Sequence, residues 1–488
     1  MPPSMNSILL LTAGLLASQA TALAPSTISV DQATEFTLTY GYPLIPYAKW
    51  ALPVMTTDGT NRLQHKRSLT TADFQDVVRP NVDTLYSAAI LDLSHGDLVI
   101  DVPNVTDRYW VFPFYDAYGN NYANVGTVGG NKPGKYRIRY VQDSPQQEAG
   151  VQLCQASGQS GNCQGYQGYI NAPTPYGTFL GRLAVTDEAT DLRKVHSIQN
   201  QTALYAVPRD DNKAVKYAPK LTVGLLNGSL SSDIPTRIMQ MTARLAPYNP
   251  PRNISDLRRV QHMFRRAGIH EGKYIPTHKN LTALAAKVTD AVLSHASKPE
   301  NTLVLGNGWQ SRRLSAQGDY GMDYQMRYAV AARGYLALTA TEALYPMYYD
   351  ASNGYSTTLI LNPGQAFLFT YDGKPPLTKE GFWSLTGYNS EQYLIANPLD
   401  RYALGDRSGL TYSDGSLVYG SDSRNGTFQI LVQPADVEPP KNWTSNWLPA
   451  PEGGGSFSVT FRLYAPTTSL ANGEWTFPTV QRVDAIVA

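Results

Sequence analysis

Charge is scarce in this chain. Of 488 residues only 16% are charged, and the formal net charge is +1. No basic field exists to hold nucleic acid or an anionic membrane surface. Long apolar runs are scarce too, and beyond the N-terminus none reaches the length needed to span a bilayer. A G-x-S-x-G nucleophile elbow is missing. Gly126-Thr127-Val128-Gly129-Gly130 is not the G-x-G-x-x-G of a dinucleotide loop and has no helix pattern behind it. There are seven histidines, and none makes H-E-x-x-H; His270-Glu271 is followed by no histidine at the needed position. Neither a metal nor a cofactor is expected. Cysteine is nearly absent, with only Cys154 and Cys163. In an oxidising compartment these two form one disulfide that pins a polar surface loop, which leaves no thiol nucleophile.

What is abundant points to β-structure. Tyrosine occurs 32 times, and glycine and proline together 72 times, a mixture that suits strands joined by many turns. Residues 1–24 read as a secretory signal. An apolar core from Ile8 to Ala17 precedes Ala20-Thr21-Ala22, which fits an A-x-A cleavage site, although no Lys or Arg stands before it. Sequons at Asn104, Asn200, Asn227, Asn253, Asn280, Asn425 and Asn442 agree with a secretory route. The expected product is secreted, glycosylated and free of membrane spans.

Residues 79–126 dominate the reading. Arg79-Pro80-Asn81-Val82-Asp83-Thr84-Leu85-Tyr86 leads into an apolar run to Leu93, then Leu98–Val102, then Tyr109–Asp116. Three strands joined by short turns, a β-meander, are expected. Asn81 and Asp83 are two apart and share a face of an extended chain. Tyr115, Asp116, Tyr118 and Asn121 leave the third strand where a loop begins. From Thr186 the texture becomes helical, with further helices expected over 234–245, 256–267, 281–295 and 322–345. Asp31 is a candidate cap for an earlier short helix. From about Thr357 alternation and Asp-Gly turns return. The expected fold is mainly β with a helical middle, α+β overall. It divides into a β-rich N-terminal domain (25–186), a helical segment (187–350) and a C-terminal jelly-roll-like β-sandwich (351–488).

Arg79-Pro80-Asn81-x-Asp83-Thr84-Leu85-Tyr86-Ser87, Tyr109-Trp110, Tyr115-Asp116-x-Tyr118 and the Pro173 to Arg182 stretch resemble domain-of-unknown-function family 1254. Phe382-Trp383-Ser384, Asn397-Pro398-Leu399-Asp400-Arg401-Tyr402, Gly405-Asp406-Arg407, Asn446-Trp447-Leu448-Pro449 and Arg462-Leu463-Tyr464 resemble its partner family 1214. The resemblance covers nearly all of the mature chain and implies a two-part architecture rich in β-sandwich; the cysteine loop and the sequons depart from the family pattern and point to a secreted, fungal-type member. The resemblance implies no reaction and transfers no catalytic residue.

Three readings of function follow from the residues. Asn81, Tyr86, Tyr115, Tyr118 and Asn121, completed by Arg401 and Asp406, suit a pocket for a small molecule or glycan. Arg401 and Arg407 suit a carboxylate clamp, or else an Arg–Asp tie within a loop. Alternatively Asp83 and Asp116 form a general acid and base, in a glycan hydrolase or a cofactor-free isomerase or cyclase; the bland counterpart has Asp83 capping a turn and Asp116 binding backbone amides. The third reading is an extracellular structural protein whose tyrosines fill its cores.

Overall fold

The computed structural model describes residues 28–75, 79–141, 148–154, 163, 165–186, 188–209, 218–421 and 423–487. The segment read as a secretory signal lies outside these residues. The long apolar strand Thr84–Asp92 is buried on both faces, and so are Trp110–Asp116 and Tyr176–Ala184. Strands without a polar face must sit inside a sheet that is covered on both sides. That is their place, in a five-stranded sheet ordered Gln64–His65, Thr84–Asp92, Tyr176–Ala184, Trp110–Asp116, Asn121–Gly126. A second five-stranded sheet runs Ala203–Val207, Asp97–Val102, Gly134–Tyr140, Gly168–Ala172, Gly150–Leu153. Leu85, Leu91, Phe112, Phe114 and Phe179 of the first sheet share a core with Ile100, Tyr136, Ile138 and Ile170 of the second.

The meander expectation is therefore corrected. The 97–102 strand crosses to the other sheet, and strand 176–184 inserts between 84–92 and 110–116. Glycine makes the insertion possible: a Cβ at Gly177 would stand 2.3 Å from the Tyr115 carbonyl oxygen.

Helices Val30–Gly41, Leu44–Asp58, Ile234–Leu245, Leu257–Arg266, Leu281–Ala296 and Tyr324–Gly334 share a separate core around Leu38, Tyr40, Tyr47, Met239, Val288 and Met326. Residues 30–58 thus join the middle helices, and together they pack on one end of the first N-terminal sheet. The first helix is capped by Ser29, not Asp31: the Gln32 amide donates to the Ser29 hydroxyl at 3.1 Å, and the Gln32 side chain accepts from the Ser29 amide at 3.0 Å. The expected helix over 322–345 stops at Gly334. Beyond it Tyr335 is extended and Leu336 has a positive φ of 64°, so the chain runs on in irregular form towards the C-terminal sheets.

There, one sheet is ordered Ala343–Leu344, Gly455–Pro466, Leu377–Asn389, Ala403–Gly405, with Leu359–Leu361 also paired to 455–466. The other is ordered Trp447–Ala450, Phe428–Pro434, Gln365–Tyr371, Thr479–Asp484. Phe367, Phe369, Trp383, Ile430 and Phe461 fill the core they share. Among the described residues no helix is long and apolar enough to cross a membrane.

The disulfide Cys154–Cys163 is formed. It closes a loop of nine positions at the end of strand 150–153, for which chain entropy gives at most about 2–3 kcal/mol. Cys154→Ser is expected to lower the unfolding free energy by that amount or less, measured by urea unfolding, and to leave ligand binding untouched, measured by titration. Asn104, Asn200, Asn227, Asn280, Asn425 and Asn442 are exposed. Asn253 is half-buried and caps a turn by accepting from the Ser255 amide at 3.1 Å.

Candidate functional site

The outer face of the first N-terminal sheet follows from strand alternation. Residues 85, 89, 179, 183, 112 and 114 point into the core, so Tyr86, Ala88, Leu180, Arg182, Tyr109, Val111 and Tyr115 face the other way. Helices cover one end of this face, where Ile90, Tyr118 and Tyr176 join the helical core. The C-terminal sheet covers the other end, where Tyr109, Val111 and Ala184 pack on Phe382, Tyr464 and Ala343. The Tyr109 ring lies 5.6 Å from Phe382 and 5.3 Å from Tyr464. Between the two covers, three parts of the chain meet.

This junction gathers arginines. Arg182 is 6% exposed and lies among Tyr86, Tyr115, Tyr345 and Tyr464. Its Nη2 donates to the Leu336 carbonyl at 2.9 Å and to the Tyr115 hydroxyl at 3.4 Å, and its buried Nε has no partner among the described residues. Arg462 is 5% exposed and donates to Thr386 Oγ1 at 2.8 Å and Tyr388 Oη at 2.7 Å. Its Nη2 also reaches the Arg79 carbonyl at 3.3 Å. Arg79 donates to Gln392 Oε1 at 2.7 Å. Burial, and then the charges of Arg462 and Arg333, lower the Arg79 guanidinium below its usual value. Arg312, lowered by burial and by the Arg333 charge, reaches only the Met326 sulfur at 3.1 Å. Arg333 has neither a hydrogen bond nor an ion pair among the described residues.

None of these five cations makes an ion pair among the described residues, and every hydrogen-bond partner they have is neutral. Asp83, 4% exposed, is one carboxylate that borders them, beside Arg462. It is already committed: Arg407 donates to Oδ1 at 2.9 Å and Ser384 to Oδ2 at 2.6 Å. The half-buried Tyr86 and Tyr349 make no side-chain hydrogen bond among the described residues, and Tyr345 faces Arg182. Glu342 lies beside them, 3% exposed, its Oε2 accepting from the Tyr109 hydroxyl at 2.9 Å. Burial pushes its carboxyl up to about 7, against the pull of that hydrogen bond and of the Arg182 charge. No group of three or more His, Cys, Asp or Glu side chains among the described residues could hold a metal ion.

The residues singled out from the sequence separate into three places. Asn81, Asp83, Tyr86 and Tyr115 reach the junction. Asn81 donates to the Tyr464 hydroxyl at 2.7 Å while its Oδ1 takes the Asp83 and Thr84 amides. Asp116, Tyr118 and Asn121 sit at the helical end. Thr84 pairs with Ala184 and Asp116 with Gly177, so Asp83 and Asp116 lie about 26 Å apart along the strand between them. They do not form an acid–base pair in one cleft, and strand 176–184 separates the strands assumed to be neighbours. Asp116 instead organises its turn, accepting from Tyr118 N (2.9 Å), Asn120 N (3.0 Å) and Asn120 Nδ2 (2.7 Å). Burial raises its carboxyl. Asp116→Asn is expected to cost about 1–2 kcal/mol of stability without changing ligand affinity, by urea unfolding and titration side by side. Tyr118 donates to the Asn249 carbonyl at 3.0 Å, and Asn121 Nδ2 to the Phe114 and Ala123 carbonyls at 3.2 Å.

Arg401 anchors a loop to the Thr444 and Trp447 carbonyls, and Arg407 is the Arg–Asp tie rather than a free clamp. Asp406 takes the Trp383 amide at 2.9 Å, and burial pushes its carboxyl up to about 6. With Arg407, Arg108, Asp191 and Lys379 it lines an outer cleft of about 460 Å³ that backs onto Tyr109. Cations and carboxylates are mixed there, with Arg108 paired to Asp191 at 2.9 Å, so the arginines without an ion pair belong to the junction and not to this cleft.

Sequence reasoning passed over Arg182, Arg312, Arg333, Arg462, Glu342, Tyr345 and Tyr349 as site residues. A signal existed for two of them. Arg182 interrupts the buried run Phe179–Val185 and Arg462 the buried run Val459–Tyr464, and a charged residue inside a strand buried on both faces needs a reason.

The fold is shared with a solved structure. The VPA0106 protein from Vibrio parahaemolyticus superposes with a TM-score of 0.63 at 17% identity, covering 93% of this chain and all of that one. An uncharacterised protein from Burkholderia cenocepacia aligns over 93% of this chain and 95% of its own at 12% identity, with a TM-score of 0.41. No curated protein matches the chain. Arg79, Asp83 and Arg182 fall in one family match, and Glu342, Tyr345, Arg462 and Tyr464 in the other. Residues 60–206 match DUF1254 and residues 342–468 match DUF1214, two families of unknown function and the two that the sequence motifs resemble.

Proposed function

We propose that the protein binds a small organic anion at the three-way junction. The observation that carries this reading is a set of five arginines that make no ion pair among the described residues, Arg182 and Arg462 almost wholly buried, Arg79 and Arg312 half-buried and Arg333 exposed at the edge. An unpaired charge taken out of water costs several kcal/mol, and a bound carboxylate or phosphate supplies the missing counter-charge through forked hydrogen bonds. Tyr86, Tyr345, Tyr349 and Tyr388 add aromatic surface, which favours a ligand with a ring or a short apolar body. A glycan ligand would have to be an acidic one to answer the charge. We infer an extracellular setting from the disulfide and from the exposure of Asn104, Asn200, Asn227, Asn280, Asn425 and Asn442.

The test is native mass spectrometry of the deglycosylated protein from its own host's medium, followed by calorimetric titration with aromatic and aliphatic carboxylates and inorganic phosphate. An added mass lost on denaturation, or binding that Arg182→Met weakens, supports the reading. A clean apo mass together with no binding across the panel overturns it.

A further inference from the structure

The anion reading leaves one buried group unused. Glu342 is held in place by its backbone: its amide donates to the Thr339 carbonyl at 2.9 Å, and its carbonyl accepts from Ala465 at 2.9 Å. The carboxylate enters the junction from the same short segment as Tyr345. One oxygen takes the Tyr109 hydroxyl. The other has no hydrogen-bond partner among the described residues, and Glu342 makes no ion pair there. The groups facing it are Tyr109 from the first N-terminal sheet and Arg182 from the strand beside it, with Tyr464 of the C-terminal sheet and Tyr345 grouped around Tyr109. A carboxylate that is buried, held by one hydrogen bond and free on its second oxygen is built to exchange a proton rather than to neutralise a cation.

We propose that the junction catalyses proton transfer on an anionic carbonyl compound, with Glu342 as the base and Arg182 and Tyr345 as donors to the enolate oxygen. The substrate class is an oxo carboxylate with a C–H next to its carbonyl, its carboxylate held by Arg79 and Arg462. The free Glu342 oxygen takes the α-proton. The C–H electron pair becomes part of a C=C bond, and the carbonyl π pair moves onto oxygen, where the Tyr345 hydroxyl and the Arg182 guanidinium donate to it. The proton then returns from Glu342 to the carbon from which it came or, in a substrate that already carries a β,γ C=C, to the γ-carbon of the dienolate, which moves that double bond into conjugation with the carbonyl. No electron acceptor is consumed. A carboxyl titrating near neutrality suits this task.

The proposal rests on the anion-binding reading, and its test separates the two. The full chain is incubated in D₂O with phenylpyruvate, 2-oxobutanoate and acetoacetate, with binding measured by calorimetry and loss of the α-C–H signal by proton NMR. The expected result is exchange at least about 100-fold above the buffer rate for a bound probe. Glu342→Gln should fall to the buffer rate with Kd within about threefold of wild type, and Glu342→Asp should keep partial activity. Probes that bind without exchange, or exchange undiminished in Glu342→Gln, overturn the proposal and leave anion binding standing. No binding by any probe, or by the carboxylates and phosphate above, removes both.

Discussion

Replacing Arg182 with methionine is expected to weaken binding of an organic anion by about 100-fold while leaving the thermal midpoint unchanged or higher. The affinity loss follows from the removal of charge-assisted hydrogen bonds, each worth about 1.5–3 kcal/mol at a buried site. The stability effect has the opposite logic. Among the described residues Arg182 makes no ion pair, and its Nε is buried without a partner. Methionine keeps an unbranched stem of similar reach and relieves that desolvation cost, while the Leu336 carbonyl loses its 2.9 Å donor. The two effects are comparable, each about 1–3 kcal/mol. A purely structural arginine behaves differently: breaking a satisfied buried charge network costs about 3–5 kcal/mol. Thermal unfolding of both forms, with and without a bound carboxylate, reads both quantities. A large fall in midpoint without ligand, and no change in affinity, would sink the binding role of Arg182.

The second large effect concerns pH. The Glu342 carboxyl titrates near 7 in the folded protein, above its ordinary value of 4.5, because burial disfavours the charged form. Between those values the unfolded chain has released this proton and the folded chain still holds it. Stability therefore falls as pH rises from about 4.5 to about 7 and is level above, with a total of about 3 kcal/mol from this one group. Glu342→Gln cannot ionise, and its amide oxygen still accepts from Tyr109. The variant is expected to match wild type at pH 4 and to exceed it by about 2–3 kcal/mol at pH 8. Asp406, raised to about 6, and Asp116 drift in the same direction in both proteins. The difference between the two urea-unfolding series, measured at pH 4, 6 and 8, isolates Glu342. Parallel curves would place its titration at the ordinary value.

Some of this was legible in the residues. Strand content, the helices over 234–245 and 281–295, and the Cys154–Cys163 pair could be read locally, because alternation, helical spacing and loop length are local properties. Asn81 and Asp83 were picked out for sharing a face, and both do reach across to the C-terminal sheet, through Tyr464 and through Ser384 and Arg407. The meander failed because short turns were taken to mean adjacent strands, whereas the pairing partner of 84–92 lies about ninety residues on. The acid–base pair failed with it. The helix over 322–345 failed because Tyr335 and Leu336 abandon helical geometry where tertiary contacts outweigh helix propensity. Arg79 and Arg462 meet across a separation of 383 positions, and no local pattern encodes that encounter.

The seam between the two family segments has a cost if they are parted. Tyr109, Val111 and Ala184 on one side meet Phe382, Tyr464 and Ala465 on the other, with the Phe382 and Tyr464 rings stacked at 4.2 Å. Made separately, each half would present a bare aromatic surface to water beside an incomplete set of arginines, and such surfaces self-associate. Inheritance of the two segments on one polypeptide ensures that they are synthesised at equal dose and that each finds its counterpart before a stranger does.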